Sequence, residues 1–202
     1  MRRLAPVAGT PVRISTFVQN LFVSRDNFDF FIREYTNSKY CWFFNSGTSA
    51  YYLALKAVQQ IQPDKSEVII PAYTAPAMML PVKKLGLVPR LVDVNLTDFN
   101  LDIEKAAGLV TAKTLAVTAV HLFGIPCAIN KLKLLLQQQS FKGYLIEDCC
   151  QAMGSIVNEE QNKLQPVGIF GDLAFYSFDR GKNLHLYNGG VLITNNDNIA
   201  EI

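Results

Sequence analysis

The chain has 202 residues, a length that suits one domain, or one domain and part of a second. Of these residues 50% are hydrophobic and 18% are charged, which is enough apolar material for a sizeable core. Its net charge of +2 gives no electrostatic indication of nucleic acid as a partner. Every apolar stretch is far shorter than the ~18 residues that a membrane span needs, and LAPVAGTPV is too broken for a signal-peptide core, so we expect a cytoplasmic protein.

Short apolar runs alternate with helical patterns along the chain. Residues 1–25 are predicted to form an N-terminal arm, and residues 26–202 one large domain that begins with a helix at 26–36. Strands are then predicted at 41–44, 67–71, 89–94, 115–120, 144–149, 173–178 and 190–195. Further helices are predicted at 49–61, 74–86, 102–110 and 130–140. This alternation predicts an α/β fold with a largely parallel sheet of seven strands.

The C-terminal residues 195–202 are predicted to form a loop and the first turn of a helix, capped by Asp197 or Asn198. Since a domain rarely ends one turn into a helix, we expect the chain to be a fragment or one half of a split protein.

The cysteines are Cys41, Cys127, Cys149 and Cys150, and none of them forms a C-x-x-C pair. This spacing argues against zinc and for reduced thiols in a cytosolic core. We therefore expect no metal.

Ligands of such a sheet bind beyond the carboxyl ends of the strands. The first candidate there is the turn NSGTS (45–49), which is either a phosphate site at a helix N-terminus or a plain helix cap. No G-x-G-x-x-G is present, and RGKN is not a phosphate-binding P-loop because Tyr176 stands where that motif needs its first glycine and Asn183 follows the lysine.

Three further candidates follow other strands. Tyr73 offers a flat face to a planar ligand, or is an aromatic core residue. Glu147 and Asp148 point to opposite faces, so that one of them could meet a cation in a site while the other bonds the structure; the alternative is a cap or a surface ion pair. Lys182, five residues after Ser177, could hold a phosphate, fill a loop or act as a nucleophile. A phosphate cradle, an aromatic face, an acid and a lysine together match the phosphate, planar ring, ring nitrogen and aldehyde of pyridoxal 5′-phosphate.

The order of these segments resembles the DegT/StrS-type sugar aminotransferases, which are fold-type I enzymes that use pyridoxal phosphate. The resemblance runs from about Phe28 to Asp197 and rests on NSGTSAYYLAL, EVIIPAYTAPA, HLFGIPCAINKLK, EDCCQAMG and GIFGDLAFYSFDRGKNLHLYNGG. It implies a three-layer α/β/α large domain, with the family's small C-terminal domain missing.

The resemblance also implies a role for each matching residue. Lys182 would be the covalent anchor of the cofactor and its proton shuttle, Asp148 would keep the pyridine nitrogen protonated, Gln151 would bond the phenolic oxygen, and Tyr73 would stack on the ring. The phosphate would be surrounded by Gly47, Thr48, Ser49 and Ser177. His121 is interpreted as structural and His185 as a loop residue.

The implied reaction transfers an amino group, usually from glutamate, to a nucleotide-linked keto sugar in polysaccharide, lipopolysaccharide or antibiotic sugar biosynthesis. The implied assembly is a homodimer, with a separately encoded C-terminal half as a further partner. Relatives that dehydrate sugars have histidine where this chain has Lys182, which favours transamination. YNGG (187–190) departs from the family's G-E-G-G. The alternatives are an incomplete fragment or split half that keeps the cofactor fold without turnover, and an α/β binding module without pyridoxal chemistry.

Overall fold

The computed structural model describes residues 15, 18, 25–158 and 164–202, and it confirms the predicted α/β fold. Each strand predicted from the sequence is present within two residues of its predicted bounds. The strands are β1 Tyr40–Phe44, β2 Glu67–Pro71, β3 Val88–Val92, β4 Thr114–Val120, β5 Tyr144–Asp148, β6 Ile156–Asn158, β7 Leu164–Pro166, β8 Leu173–Ser177 and β9 Gly190–Thr194.

The main sheet has seven strands in the order β1-β9-β8-β5-β4-β2-β3. β9 runs antiparallel to both of its neighbours, and every other pair is parallel. The carboxyl ends of β1, β2, β5 and β8 therefore lie at one edge of the sheet. At this edge Gly190, the first residue of β9, pairs with both Phe44 and Ser177.

Helices cover both faces of the sheet. They are α1 Arg25–Thr36, α2 Gly47–Ile61, α3 Met79–Lys84, α4 Ile103–Gly108, α5 Ile129–Gln138 and α6 Asp197–Ala200. The predicted helix 74–86 is shorter than expected, because a 3-10 turn at Pro76–Met78 precedes α3. Pro81 lies in the first turn of α3, where a backbone N–H has no intrahelical partner and its loss costs little.

Side chains that alternate along the strands divide the core into layers. Val68 and Ile70 of β2 pack in the cluster that includes α2 and α3, whereas Ile69 packs with α4 and α5 on the opposite face. A further cluster joins α1 to β8 and β9. The result is the three-layer α/β/α arrangement. None of the helices in the described part of the chain has both the length and the apolar character that crossing a bilayer requires.

Two further details differ from the sequence prediction. β6 and β7 form a separate two-stranded antiparallel sheet, which was not predicted because strands of three residues carry no readable periodicity. The cap of α6 is Asn196, whose Oδ1 accepts hydrogen bonds from the backbone N–H groups of Asn198 at 3.0 Å and Ile199 at 3.4 Å. The prediction of Asp197 or Asn198 as the cap was wrong. Most of the predicted arm, 1–25, lies outside the described residues.

Candidate active site

A cavity of about 240 Å³ opens at the carboxyl edge of the sheet, where the sequence predicted a ligand site. Its wall contains most of the residues singled out from the sequence: Gly47, Thr48, Asp148, Gln151, Ser177 and Lys182. These residues lie at or just after the ends of β1, β5 and β8, so strands that are distant in the sequence bring them together. Ser49 and Tyr73 do not line the cavity.

The turn that opens α2 forms one wall. Ser46 is the N-cap, with an extended backbone, and its Oγ accepts a hydrogen bond from the Ser49 N–H at 3.1 Å. The Ser49 hydroxyl donates to Asn45 Oδ1 at 2.6 Å. Ser49 is thus engaged in capping, which explains its absence from the wall. Gly47 and Thr48, the first helical residues, present the positive end of the helix to the cavity.

Glycine is required where this turn meets the sheet. A Cβ on Gly47 would lie 2.8 Å from Ser177 Cβ and 3.1 Å from Cys150 Sγ. A Cβ on Gly190 would lie 2.4 Å from the carbonyl carbon and oxygen of Ser46. The missing side chains let α2, β8 and β9 approach closely, which leaves a small cradle at a helix N-terminus next to the Ser177 hydroxyl. Such a cradle suits an oxyanion such as phosphate.

The consecutive acids Glu147 and Asp148 have separate functions. The Glu147 carboxylate is fully buried and accepts hydrogen bonds from the backbone N–H groups of Gly168, Phe170 and Gly171 at 2.6–2.9 Å. It therefore fixes the segment that leads into β8. Asp148 faces the cavity instead. This is the division that alternation along a strand predicts.

His121 completes the structural network around Glu147. Its Nδ1 accepts a hydrogen bond from the Cys127 N–H at 3.0 Å, so the ring proton sits on Nε2, which donates to Glu147 Oε2 at 3.0 Å. His121, Glu147 and Cys149 bring possible metal-ligating atoms within 4.8 Å of one another. Because both ring nitrogens and the carboxylate already have partners, we interpret the cluster as structural.

Asp148 is an acid whose environment disfavours its charge. Burial raises the pKa of Asp148, while the backbone N–H of Cys150, at 2.9 Å from Oδ1, and the positive charge of Lys182 act against the rise in pKa. A buried carboxylate in a cavity is stabilised by a cationic or proton-donating partner. Asp148 is therefore suited to meet a protonated nitrogen of a ligand.

Lys182 lies in the loop between β8 and β9 and borders the same cavity as Asp148. Its backbone N–H donates to the Asp179 carbonyl at 3.1 Å, which makes a tight turn after β8. Leu186 closes the loop by donating its N–H to the Phe178 carbonyl at 2.8 Å. The lysine is thus placed at the cavity wall by an ordered loop, which argues against a role as loop filler.

Gln151 and Tyr73 differ in their placement. Gln151 lines the cavity, and its Oε1 accepts a hydrogen bond from the Phe123 N–H at 3.1 Å. Tyr73 lies in the turn after β2. The residue is 54% exposed, and its ring lies beside those of Phe99 and Phe123. Its neighbours Thr74 and Ala75 line the cavity instead, so the predicted stacking face is not in the wall.

The sequence reading missed Tyr51 and Phe175 as part of the cavity wall. The Tyr51 hydroxyl shares a hydrogen bond with Thr118 Oγ1 at 2.9 Å, and its ring stacks on Phe175 with centroids 4.9 Å apart. Burial raises the pKa of Tyr51 far above its usual value. Both residues could have been found from spacing, because Tyr51 is four residues after Gly47 on one helix face and Phe175 is two residues before Ser177 on one strand face.

Comparison with known proteins shows which chains this one is similar to. The model of the DegT/DnrJ/EryC1/StrS aminotransferase family matches residues 15–202. The chain is 32% identical over 176 residues to the GDP-perosamine synthase of Vibrio cholerae, covering 87% of this chain and 46% of the relative. It is 35% identical over 172 residues to the dTDP-3-amino-3,6-dideoxy-alpha-D-galactopyranose transaminase of Aneurinibacillus thermoaerophilus, covering 85% and 45%.

A solved structure also shares the fold. The X-ray structure of the aminotransferase from Psychrobacter cryohalolentis superposes with a TM-score of 0.80 at 27% identity, covering 96% of this chain and 50% of that one. The chain spans about half the length of the curated relatives that it matches.

Proposed function

The chain belongs to the DegT/DnrJ/EryC1/StrS aminotransferase family, and we propose that it forms the cofactor-binding part of an aminotransferase that uses pyridoxal phosphate. The proposed acceptor is a nucleotide-linked keto sugar and the proposed amino donor is glutamate. The observation that carries the proposal is that Lys182 and the buried Asp148 border one cavity that also holds the N-terminal turn of α2. The four unpaired cysteines fit a reducing compartment such as the cytoplasm.

The residues of the cavity fit this cofactor on three independent counts. At Gly47 the cradle has no room for a Cβ atom, and the helix N-terminus and the Ser177 hydroxyl in its wall suit phosphate oxygens. Asp148 suits a ring nitrogen that must stay protonated, and Lys182 supplies the amine that an aldehyde requires. Pyridoxal phosphate supplies that aldehyde and an electron-accepting ring.

The protein side of the mechanism follows from these positions. Asp148 would hold a proton on the pyridine nitrogen through a charge-assisted hydrogen bond. Lys182 would hold the cofactor covalently, and its Nζ, when free, would be the base that moves a proton. The stacked rings of Tyr51 and Phe175 line the cavity with apolar surface, which would strengthen the electrostatic effect of Asp148.

The cofactor assignment is tested by labelling. The full chain is incubated with pyridoxal phosphate, reduced with borohydride and digested, and the modified lysine is identified by mass spectrometry. We expect the label at Lys182, its loss in Lys182→Ala and its retention in Lys56→Ala, which removes an exposed lysine from the same domain. A label spread over several lysines, or an unchanged yield in Lys182→Ala, would refute the assignment.

Turnover is tested separately. The chain, loaded with pyridoxal phosphate, is given glutamate and a panel of GDP-, dTDP- and UDP-linked keto sugars, and 2-oxoglutarate is measured. The cofactor itself can accept one amino group per chain, so formation of 2-oxoglutarate beyond one equivalent with only some members of the panel identifies the sugar. Cofactor capture at Lys182 without 2-oxoglutarate beyond one equivalent for any acceptor of the panel favours the alternative of a cofactor-binding chain without turnover. Sedimentation velocity on the same samples tests the proposed homodimer.

A further inference from the structure

Three aromatic rings stand exposed beside the cavity, and no step of the proposed mechanism uses them. Tyr73, Phe99 and Phe123 are 54%, 46% and 60% exposed. The ring of Tyr73 lies 6.4 Å from that of Phe99 and 6.3 Å from that of Phe123, measured between centroids. We call these three residues the aromatic rim. A group of exposed large rings indicates a binding surface, whereas scattered single rings do not.

The rim adjoins the cavity through two wall residues. Thr74, which follows Tyr73 in the chain, lines the cavity, and so does Gln151, whose Oε1 accepts the Phe123 N–H at 3.1 Å. A ligand that fills the cavity and extends beyond its wall on this side meets the rim next.

The rim is held in place by a network of polar contacts. Asn100 is 2% exposed, and its side chain accepts from the Leu122 N–H at 2.9 Å and donates to the Ile125 carbonyl at 3.0 Å. It thereby ties the segment that carries Phe99 to the turn that carries Phe123. Ser155 supports the same turn by donating its hydroxyl to the Gly124 carbonyl at 2.7 Å.

The backbone at two rim residues is unusual. Phe99 has φ of 59° and Phe123 has φ of 55°, in the left-handed region that bulky residues rarely adopt. Such conformations persist only where surrounding contacts impose them, and they cluster at ligand sites. Here the imposed conformations turn two apolar rings outward rather than into the core.

We propose that the aromatic rim stacks on the nucleobase of the nucleotide-linked substrate, an inference that rests on the proposed function. Ring planes tilted by 53° and 56° leave the face of Tyr73 uncovered by its neighbours. The two relatives compared above are named for a GDP-linked and a dTDP-linked sugar, so related sites accept a purine or a pyrimidine. Every base has a flat π face, and stacking on aromatic rings accepts both kinds.

The test measures nucleoside diphosphates directly. Saturation-transfer NMR on the full chain with dTDP or GDP reports which ligand protons touch the protein, and a titration gives Kd. We expect the strongest transfer to the base protons. Phe99→Ala and Phe123→Ala should each weaken binding of dTDP by about 5- to 100-fold, the range found when a stacking ring is removed. Phe99→Tyr and Phe123→Tyr, which keep the ring, should bind within about twofold of the unmodified chain.

Two controls separate the rim from the rest of the molecule. Phe30→Ala removes a ring that is 65% exposed on α1, and it should leave the Kd of dTDP unchanged. Inorganic pyrophosphate carries no base, so its Kd should not respond to either rim variant. Thermal unfolding of each variant shows whether the fold is intact.

The outcomes are distinct from those of the cofactor test. Phe99→Ala and Phe123→Ala should still capture pyridoxal phosphate at Lys182, so a failure of capture in the unmodified chain refutes the proposed function without changing the nucleotide result. The rim proposal is overturned if dTDP and GDP do not bind, if saturation falls on ribose alone, or if the alanine variants bind as tightly as the unmodified chain. It is also overturned if those variants change self-association and leave nucleotide binding unchanged, because a second copy of the chain then covers the rim.

Discussion

Gly190→Ala should distort the candidate site without replacing any side chain that carries chemistry. The added Cβ would lie 2.4 Å from the Ser46 carbonyl and 2.5 Å from the Gly47 nitrogen, whereas ordinary contacts begin at 3.4 Å. The start of α2 and the start of β9 must therefore separate by about 1 Å. The atoms in the way are backbone, and the Ser46 carbonyl accepts the first helical hydrogen bond of α2 from Ala50. No side-chain rotation can relieve this clash.

The expected loss of stability follows from this overlap. Overpacking usually costs ~1–3 kcal/mol, and a clash with fixed backbone belongs at the upper end, so we expect about 3 kcal/mol. For a chain of this size such a loss lowers the Tm by roughly 6–12 °C. Capture of pyridoxal phosphate at Lys182 should fall as well, because the displaced turn contains Gly47 and Thr48.

Gly108→Ala is the matched control for this experiment. Gly108 ends α4, and a Cβ there would meet nothing within 4 Å among the residues that the structure describes. Alanine should leave stability unchanged or raise it by about 0.5 kcal/mol. Urea unfolding of the unmodified chain and both variants gives the free energies of unfolding, and borohydride labelling gives cofactor capture. The steric argument is refuted if Gly190→Ala and Gly108→Ala unfold within ~0.5 kcal/mol of each other.

Three further substitutions test the groups around the cavity. Burial raises the pKa of Asp148 above its usual 3.8, so the unmodified protein loses stability as pH rises through the raised pKa. In urea unfolding of the cofactor-free chain, Asp148→Asn should therefore gain stability relative to the unmodified protein from pH 3 to 8. The same variant should bind pyridoxal phosphate about 10- to 100-fold more weakly. Glu147→Gln should cost about 3–5 kcal/mol by breaking a buried network, and equal stability at pH 7 would contradict this. Thr118→Val should cost ~1–3 kcal/mol, and a double-mutant cycle with Tyr51→Phe should show most of this loss as coupling.

The sequence predicts the framework of the site better than its lining. Apolar runs such as EVIIP locate the strands because burial on both faces needs uninterrupted apolar side chains. The strand ends then identify the segments that meet at the carboxyl edge. The sequence does not predict which residue of the turn after a strand lines the cavity. Thr74 and Ala75 line the cavity while Tyr73 does not, because the 3-10 turn at Pro76–Met78 sets the direction of the chain.

Ser49 is absent from the cavity wall because neighbouring side chains compete with a ligand for its hydroxyl. Ser49 is chemically suited to a phosphate, but the local geometry of α2 offers its hydroxyl Asn45 and Ser46 within 3.0 Å. A sequence motif identifies the residue type but not the group with which its side chain forms a hydrogen bond. The same reasoning covers the cap of α6, where Asp197 contacts Lys39 and Tyr40 and leaves capping to Asn196.

The pair Glu147–Asp148 shows how one strand end serves both stability and chemistry. A buried carboxylate with several backbone donors is satisfied within the protein, and it has little to offer a ligand. Glu147 is in this state, because the N–H groups of Gly168, Phe170 and Gly171 fill its acceptor sites and His121 donates as well. Asp148, one residue later and on the opposite face, accepts a single backbone N–H at Oδ1 and borders the cavity. For Glu147 to face the cavity and Asp148 to take the backbone N–H groups, the register of β5 would have to shift by one residue. Such a shift would turn Ile146 and Glu147 to the opposite faces of the sheet from those they now occupy. The register of the core strand thus decides which acid is left to hold a proton on a ligand.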